Sequence, residues 1–162
     1  MPLVARMTWR KERGSLSFDG NVRHFPTFIA DEPPEFHGGD TGPSSIEYLL
    51  ISIGACQGTS FGFAIDKYNA KIKNIEIEVK GDMHHIDRHG ELDKFKGLLR
   101  LIGVEVAFSI EPEDYSKENL ENIDMAFRAF KKYCVVTESV RRGIPSSISY
   151  DIVRKGSQDV QI

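Results

Sequence analysis

The chain has 162 residues, enough for a single domain to bury a hydrophobic core without disulfides or metals. Hydrophobic residues at 40% and charged residues at 28% argue against a disordered chain. A net charge of -3 argues against nucleic acid as a partner. Residues 1–6 lack the basic and then apolar layout of a signal peptide, so we expect a cytoplasmic protein. In that compartment a transient catalytic disulfide is more usual than a static one.

The first thirty residues predict three short strands, at 3–10, 15–18 and 22–30, with Gly14 and Gly20 as breaks between them. A loop rich in proline and glycine over 33–43 then leads to a long helix. Ser44 or Ser45 is the expected N-cap of that helix, which should end near Tyr68.

No residue from 48 to 65 is charged, so this stretch could be tested as a membrane span. Its small polar residues and its glycines favour instead a helix buried within a soluble protein. Gly54, Gly58 and Gly62 recur every four residues on one helix face, and each costs about 1 kcal/mol relative to alanine. We expect a neighbouring helix or strand to approach that face closely; a kinked or early-ending helix is the alternative.

The second half predicts two strands, then helices, then a last strand. Residues 71–83 alternate between apolar and charged, the polar run 84–91 predicts a turn, and 98–110 predicts a returning strand that Pro112 ends. Ser116 should cap a helix whose apolar stripe reaches Cys134 if the helix continues. A strand at 146–153 and a frayed tail at 155–162 complete one domain over 1–154. Short connections between successive strands indicate antiparallel pairing and an α+β fold.

The two cysteines are the main candidates for chemistry. Cys56 lies in the first long helix, Cys134 follows the second, and neither belongs to a CxxC metal-binding pattern. If the sulfurs meet in space, thiol–disulfide redox chemistry follows; two inert core cysteines are the alternative. The histidines at 84, 85 and 89 lie on a polar stretch without a helix-spaced partner, which favours solvated surface over a zinc site.

Two segments resemble a known family. They are 42–56 (GPSSIEYLLISIGAC) and 132–136 (KYCVV), followed by a Gly-Ile-Pro turn at 143–145. Their sequence and spacing resemble the OsmC/Ohr family of osmotically induced and organic-hydroperoxide-resistance proteins, in a divergent OsmC-like branch. The resemblance implies antiparallel sheets wrapped around long central helices in an intertwined homodimer, with the sites at the subunit interface.

The resemblance also implies a cysteine-based peroxidase acting on organic hydroperoxides or hydrogen peroxide. By matching position, Cys56 would attack the peroxide and form a sulfenic acid, and Cys134 would resolve it as a disulfide. The implied reductant is a dithiol, lipoyl-linked in the organic-peroxide branch. No metal, organic cofactor, nucleic acid or membrane is implied. A binding protein on the same fold, holding a small apolar or thiol-reactive ligand at the dimer interface, is one alternative; a structural stress protein is another.

An acid and an arginine complete the implied site. Well-characterised branches carry a glutamate ten residues before the first cysteine; here that position is Ile46, and Glu47 follows it. Arg13 loosely matches the position of the active-site arginine in the organic-peroxide branch, and Arg23 is the alternative. A cation is needed because a thiol of pKa about 8.5 is mostly protonated near neutral pH and burial raises that pKa further.

Overall fold

A computed structural model describes residues 3–86 and 98–149, and it has the expected α+β architecture with antiparallel sheets. A three-stranded sheet precedes a long helix, a two-stranded sheet follows, and two shorter helices come last. The strands are β1 (Ala5–Trp9), β2 (Phe18–Val22), β3 (Phe28–Ala30), β4 (Ile72–Ile86) and β5 (Leu98–Pro112); the helices are α1 (Ser45–Tyr68), α2 (Lys117–Phe130) and α3 (Val135–Arg142).

The N-terminal sheet has the order β1-β2-β3 with antiparallel pairing throughout. The predicted strands at 15–18 and 22–30 were wrong in their bounds, because β2 starts at Phe18 and β3 only at Phe28. Gly20 lies inside β2 rather than breaking it. The Phe28 ring covers that glycine so closely that a Cβ there would lie 2.1 Å from the ring. A turn with Arg23 at φ 51° separates β2 from β3.

Helix α1 begins where the sequence predicted. Ser44 is the N-cap, and it forms a reciprocal capping box with Glu47. Strand β4 packs against the glycine face of the helix, where a Cβ on Gly54 would lie 2.9 Å from Val79 and one on Gly58 would lie 2.9 Å from Ile77. The predicted close approach is therefore confirmed at two of the three glycines, whereas Gly62 faces open space.

Strands β4 and β5 form a long antiparallel ribbon. His84 and Ile86 still belong to β4, so the predicted turn cannot begin at 84. The rest of that predicted turn lies outside the described residues. By length and composition α1 could cross a membrane, and 22% of its most apolar window is buried within the chain.

The core lies between α1, α2 and the ribbon. Phe61 is fully buried at its centre and packs against three other rings, those of Phe108, Phe127 and Phe130. Ser116 caps α2 as predicted, but α2 ends at Phe130 and does not continue to Cys134. A turn follows, and Cys134 becomes the N-cap of α3.

The predicted C-terminal strand is not found in the described residues. Gly143, the first residue of the Gly-Ile-Pro segment, is the C-cap of α3. Residues 143–149 are not in a strand, so the first part of the predicted strand at 146–153 was wrong. Its remainder and the predicted tail at 155–162 lie outside the described residues, and the single domain over 1–154 stays a prediction.

Candidate functional site

The fold brings the two cysteines together. Cys56, in the middle of α1, is a half-buried free thiol, and Cys134 is a free thiol that is only 2% exposed. Helix α3 packs on α1, and this places Cys134 close enough to Cys56 for the Cys56 side chain to lower the pKa of the Cys134 thiol. Two side chains 78 positions apart in sequence thus form one thiol pair.

Polar groups of α1 and α3 surround the Cys134 sulfur. Thr137 Oγ1 lies 3.0 Å from Cys134 Sγ, and Gln57 Nε2 donates to the same hydroxyl at 3.1 Å. The backbone N–H groups of Val136 and Thr137 also lower the pKa of the Cys134 thiol, although they form no regular cap hydrogen bond with its side chain. These N–H groups have no partner within α3, because the first N–H groups of a helix lack one.

These contacts determine the charge that Cys134 favours. Burial alone would raise the pKa of the Cys134 thiol, because it disfavours the charged form. Hydrogen bonds from the Thr137 side chain and backbone, and then from Cys56 and Val136, outweigh burial and hold that pKa below its ordinary value. The surroundings of the buried Cys134 sulfur therefore favour its thiolate form.

Cys56 opens onto a cavity of about 740 Å³ between α1, α2 and the start of α3. Most of its wall is apolar or aromatic: Phe63, Ala64, Tyr68, Ala129, Tyr133 and Val135. Three cationic side chains, Lys67, Arg128 and Lys132, also line it. Arg128 is ion-paired with Asp124 at 2.9 Å. The cavity can hold an apolar molecule beside the half-buried thiol, with positive charge at its wall.

The two predicted arginines lie in the connections of the N-terminal sheet, Arg13 between β1 and β2 and Arg23 between β2 and β3. Arg13 donates to Ser17 Oγ at 3.1 Å and forms an ion pair with Asp19. Hydrogen bonds from Arg13, and then from Arg10, hold the pKa of the Asp19 carboxyl below its usual range. Arg23 lies over the Phe25 ring, 4.6 Å from its centroid. Within the described residues of one chain, neither predicted guanidinium contacts Cys56.

Glu47 has a local structural partner. Its Oε2 accepts a hydrogen bond from the Ser44 backbone N–H at 2.7 Å, and that bond, followed by one from the Ser44 side chain, holds the pKa of the Glu47 carboxyl below its usual range. Nine residues at about 100° each place Glu47 on the side of α1 opposite Cys56. Within one chain the acid caps the helix rather than approaching the thiol.

The residues that the structure describes contain no group of three or more histidine, cysteine or acidic side chains that could hold a metal. His84 contacts Asp82 at 2.8 Å on an exposed part of β4. The third histidine of the predicted surface group, at position 89, lies outside the described residues.

The sequence did not predict Gln57 and Thr137 as residues of the site. Their pairing spans 80 positions, so no local pattern reveals it. A local signal did exist for Thr137, which stands three residues after Cys134, at the helix position whose groups commonly bond an N-cap. Arg128 and Lys132 were missed as cavity residues because only the packing of α2 against α1 brings them to Cys56.

Solved structures share this fold. An OsmC-like protein from Vibrio cholerae superposes with a TM-score of 0.68 at 12% identity, covering 86% of this chain and 93% of its own. One from Mycoplasma pneumoniae has a TM-score of 0.63 at 16% identity, covering 87% and 88%. An organic hydroperoxide resistance protein from Legionella pneumophila has a TM-score of 0.57 at 12% identity, covering 87% and 90%. At these identities the likeness shows the fold.

The sequence supplies the family. No curated protein is similar enough in sequence to be matched. The family model described as OsmC-like protein matches residues 38–149, which include both cysteines, Gln57 and Thr137. The chain belongs to the OsmC-like protein family.

Proposed function

We propose that the protein is a cysteine-dependent peroxidase that reduces organic hydroperoxides or hydrogen peroxide. The observation that carries the proposal is the proximity of Cys56 and Cys134 beside an open, largely apolar cavity. The solved relative from Legionella pneumophila is described as an organic hydroperoxide resistance protein, which agrees with this chemistry.

The difference in burial supports the two proposed roles. Cys56 is half-buried and lines the large cavity, so an incoming peroxide can reach its sulfur. Its thiolate attacks one peroxide oxygen, the oxygen–oxygen bond breaks, and the alkoxide leaves and takes up a proton. Cys56 is then a sulfenic acid. Cys134 is too buried to meet peroxide first, and its position beside Cys56 suits the formation of the disulfide.

The proposal includes an intertwined homodimer. Helix α1 is long and apolar, yet little of it is buried within one chain, and Ile51 and Phe63 on it are 56% and 73% exposed. A second copy would cover this surface. Arg13, which lies between β1 and β2 in one chain, is then a candidate to reach the partner's cavity and stabilise the Cys56 thiolate, with Arg23 as the alternative. Glu47 would be the acid that holds this arginine in place.

A dithiol such as a lipoyl group is the proposed reductant, because two thiols can reduce the disulfide by exchange through one mixed disulfide. The cytoplasm is the proposed location, since its reducing poise would return the pair to two thiols after each turnover.

Single-cysteine variants test the proposal. With dihydrolipoamide as reductant and cumene hydroperoxide as substrate, we expect Cys56→Ser to abolish peroxide consumption. With the dithiol left out, Cys134→Ser should consume one equivalent and stop as a sulfenic acid that a dimedone adduct reveals by intact mass. Equal peroxide consumption by the two variants would contradict the assigned roles.

A binding protein without turnover is the second candidate, and the cavity of about 740 Å³ is the observation that favours it. It predicts that an apolar ligand binds the unmodified protein and the Cys56→Ser variant equally well. Under that function neither protein would consume peroxide when the dithiol is supplied.

A further inference from the structure

We propose that Thr137, anchored by Gln57, is a positioning residue that keeps the Cys134 sulfur ready to close the disulfide. The inference rests on the proposed peroxidase function and deepens it, because it concerns the step after peroxide has reacted. It identifies how a thiol that is only 2% exposed can act without first losing a proton to solvent.

The hydrogen-bond donors around Thr137 set its orientation. The Gln57 amide nitrogen can only donate, so the Thr137 hydroxyl accepts from it at 3.1 Å. The hydroxyl then has one proton of its own to donate, and Cys134 Sγ lies 3.0 Å away. A thiolate can only accept, so the chain of donors runs from Gln57 through Thr137 to the sulfur. Because Gln57 follows Cys56 on α1, one helix carries both the peroxide thiol and the anchor.

Formal charges near Cys134 are few and partly neutralised. The cavity beside it, about 460 Å³, is lined by three ionisable side chains, Lys131, Glu138 and Arg141. Glu138 is ion-paired with Arg141 at 2.8 Å. From α1 the groups that face the sulfur are Cys56 and Gln57, and the ribbon contributes apolar residues to the cavity. The pKa of Cys134 is held low by the neutral donors of Thr137, Val136 and Cys56, against the effect of burial.

The step itself needs no further reactant. The Cys134 thiolate attacks the sulfur of the Cys56 sulfenic acid, a sulfur–sulfur bond forms and the sulfur–oxygen bond breaks. Hydroxide leaves and takes a proton to become water. A neutral Cys134 would have to lose its proton first, in a place that water scarcely reaches. The Thr137 hydroxyl therefore determines what fraction of the molecules can resolve at a given pH.

The test compares Thr137→Val with Thr137→Ser. Each change is placed in a Cys56→Ser background, so that Cys134 is the single thiol, and the thiolate is titrated by its ultraviolet absorbance. We expect valine, which keeps the shape and loses the donor, to raise the Cys134 pKa by about one unit, so that roughly tenfold less thiolate remains at a fixed pH below it. Serine should restore the low value. Gln57→Leu should shift the pKa in the same direction by less.

A second measurement follows disulfide formation with both cysteines present, after one equivalent of cumene hydroperoxide. The Thr137→Val variant should close the disulfide about tenfold more slowly at low pH, and the difference should vanish above its raised pKa, which a merely loosened fold would not produce. A Cys134 titration that valine leaves unchanged, while the protein with both cysteines still consumes peroxide, overturns this inference alone. If the protein with both cysteines consumes no peroxide, the proposed function is overturned, and the resolving role with it.

Discussion

Replacing Phe61 with alanine should be among the most destabilising changes in this chain. The ring is fully buried, and it meets the rings of Phe108, Phe127 and Phe130 at centroid distances of 5.6, 5.7 and 5.3 Å. Truncating a buried phenylalanine to alanine costs about 3–5 kcal/mol, because transfer energy is lost and a cavity remains. The four-ring cluster joins α1, β5 and α2, so its collapse would loosen the whole unit that carries Cys56.

That loss is a large part of a total stability of about 5–15 kcal/mol. Urea unfolding followed by circular dichroism measures it, with Phe25→Ala as the control, since Phe25 is 51% exposed. The control should cost about 1 kcal/mol or less. Should Phe61→Ala leave too little folded protein, Phe61→Leu gives a milder loss in the same direction. Equal losses for Phe61→Ala and Phe25→Ala would refute the assignment of the core.

Two further predictions concern the acid limit of stability and the glycine face of α1. The buried Asp31 carboxyl has its pKa held low, chiefly by the Thr41 hydroxyl. Its stabilising contribution is therefore full above the unfolded pKa of about 3.9 and is lost as the pH falls through the lower folded value. Asp31→Asn should lower the urea midpoint at neutral pH. The difference in urea midpoint between this variant and the unmodified protein should shrink below about pH 3. A difference that stays constant across this pH range would contradict the prediction. Gly62→Ala, which meets open space, should stabilise by about 1 kcal/mol. Gly54→Val should destabilise by about 1–3 kcal/mol through its contact with β4, and calorimetric melting that ranks the two in the opposite order would argue against that packing.

The sequence was most informative where local chemistry and global packing agree. Ser44 begins α1 because its side chain and that of Glu47 satisfy free N–H groups, an effect confined to four neighbouring residues. The alternation over 71–83 predicted β4 for a similar reason, since one face of that strand packs on α1. The prediction that Gly20 breaks a strand was wrong, because its place in β2 depends on the Phe28 ring, which only the paired strand supplies.

The thiol pair shows the same division. Both cysteines could be chosen from the sequence, but the stripe that led to Cys134 assumed one continuous helix. The chain turns after Phe130 instead, and Cys134 remains buried by starting a new helix. The contact of Gln57 with Thr137 depends on how α1 and α3 cross, so it could not be predicted from residues 80 positions apart.

The β4–β5 ribbon has a consequence for solubility. Its strands have 15 residues each, and they form a two-stranded sheet in the described part of the chain. Unpaired backbone along such borders can template the growth of further strands from other molecules. On β4, exposed charged side chains alternate with the inward apolar ones: Lys73, Glu76, Glu78 and Lys80. Charged side chains on a border strand disfavour the addition of a strand from another molecule. The charges on β4 should therefore reduce aggregation through the ribbon.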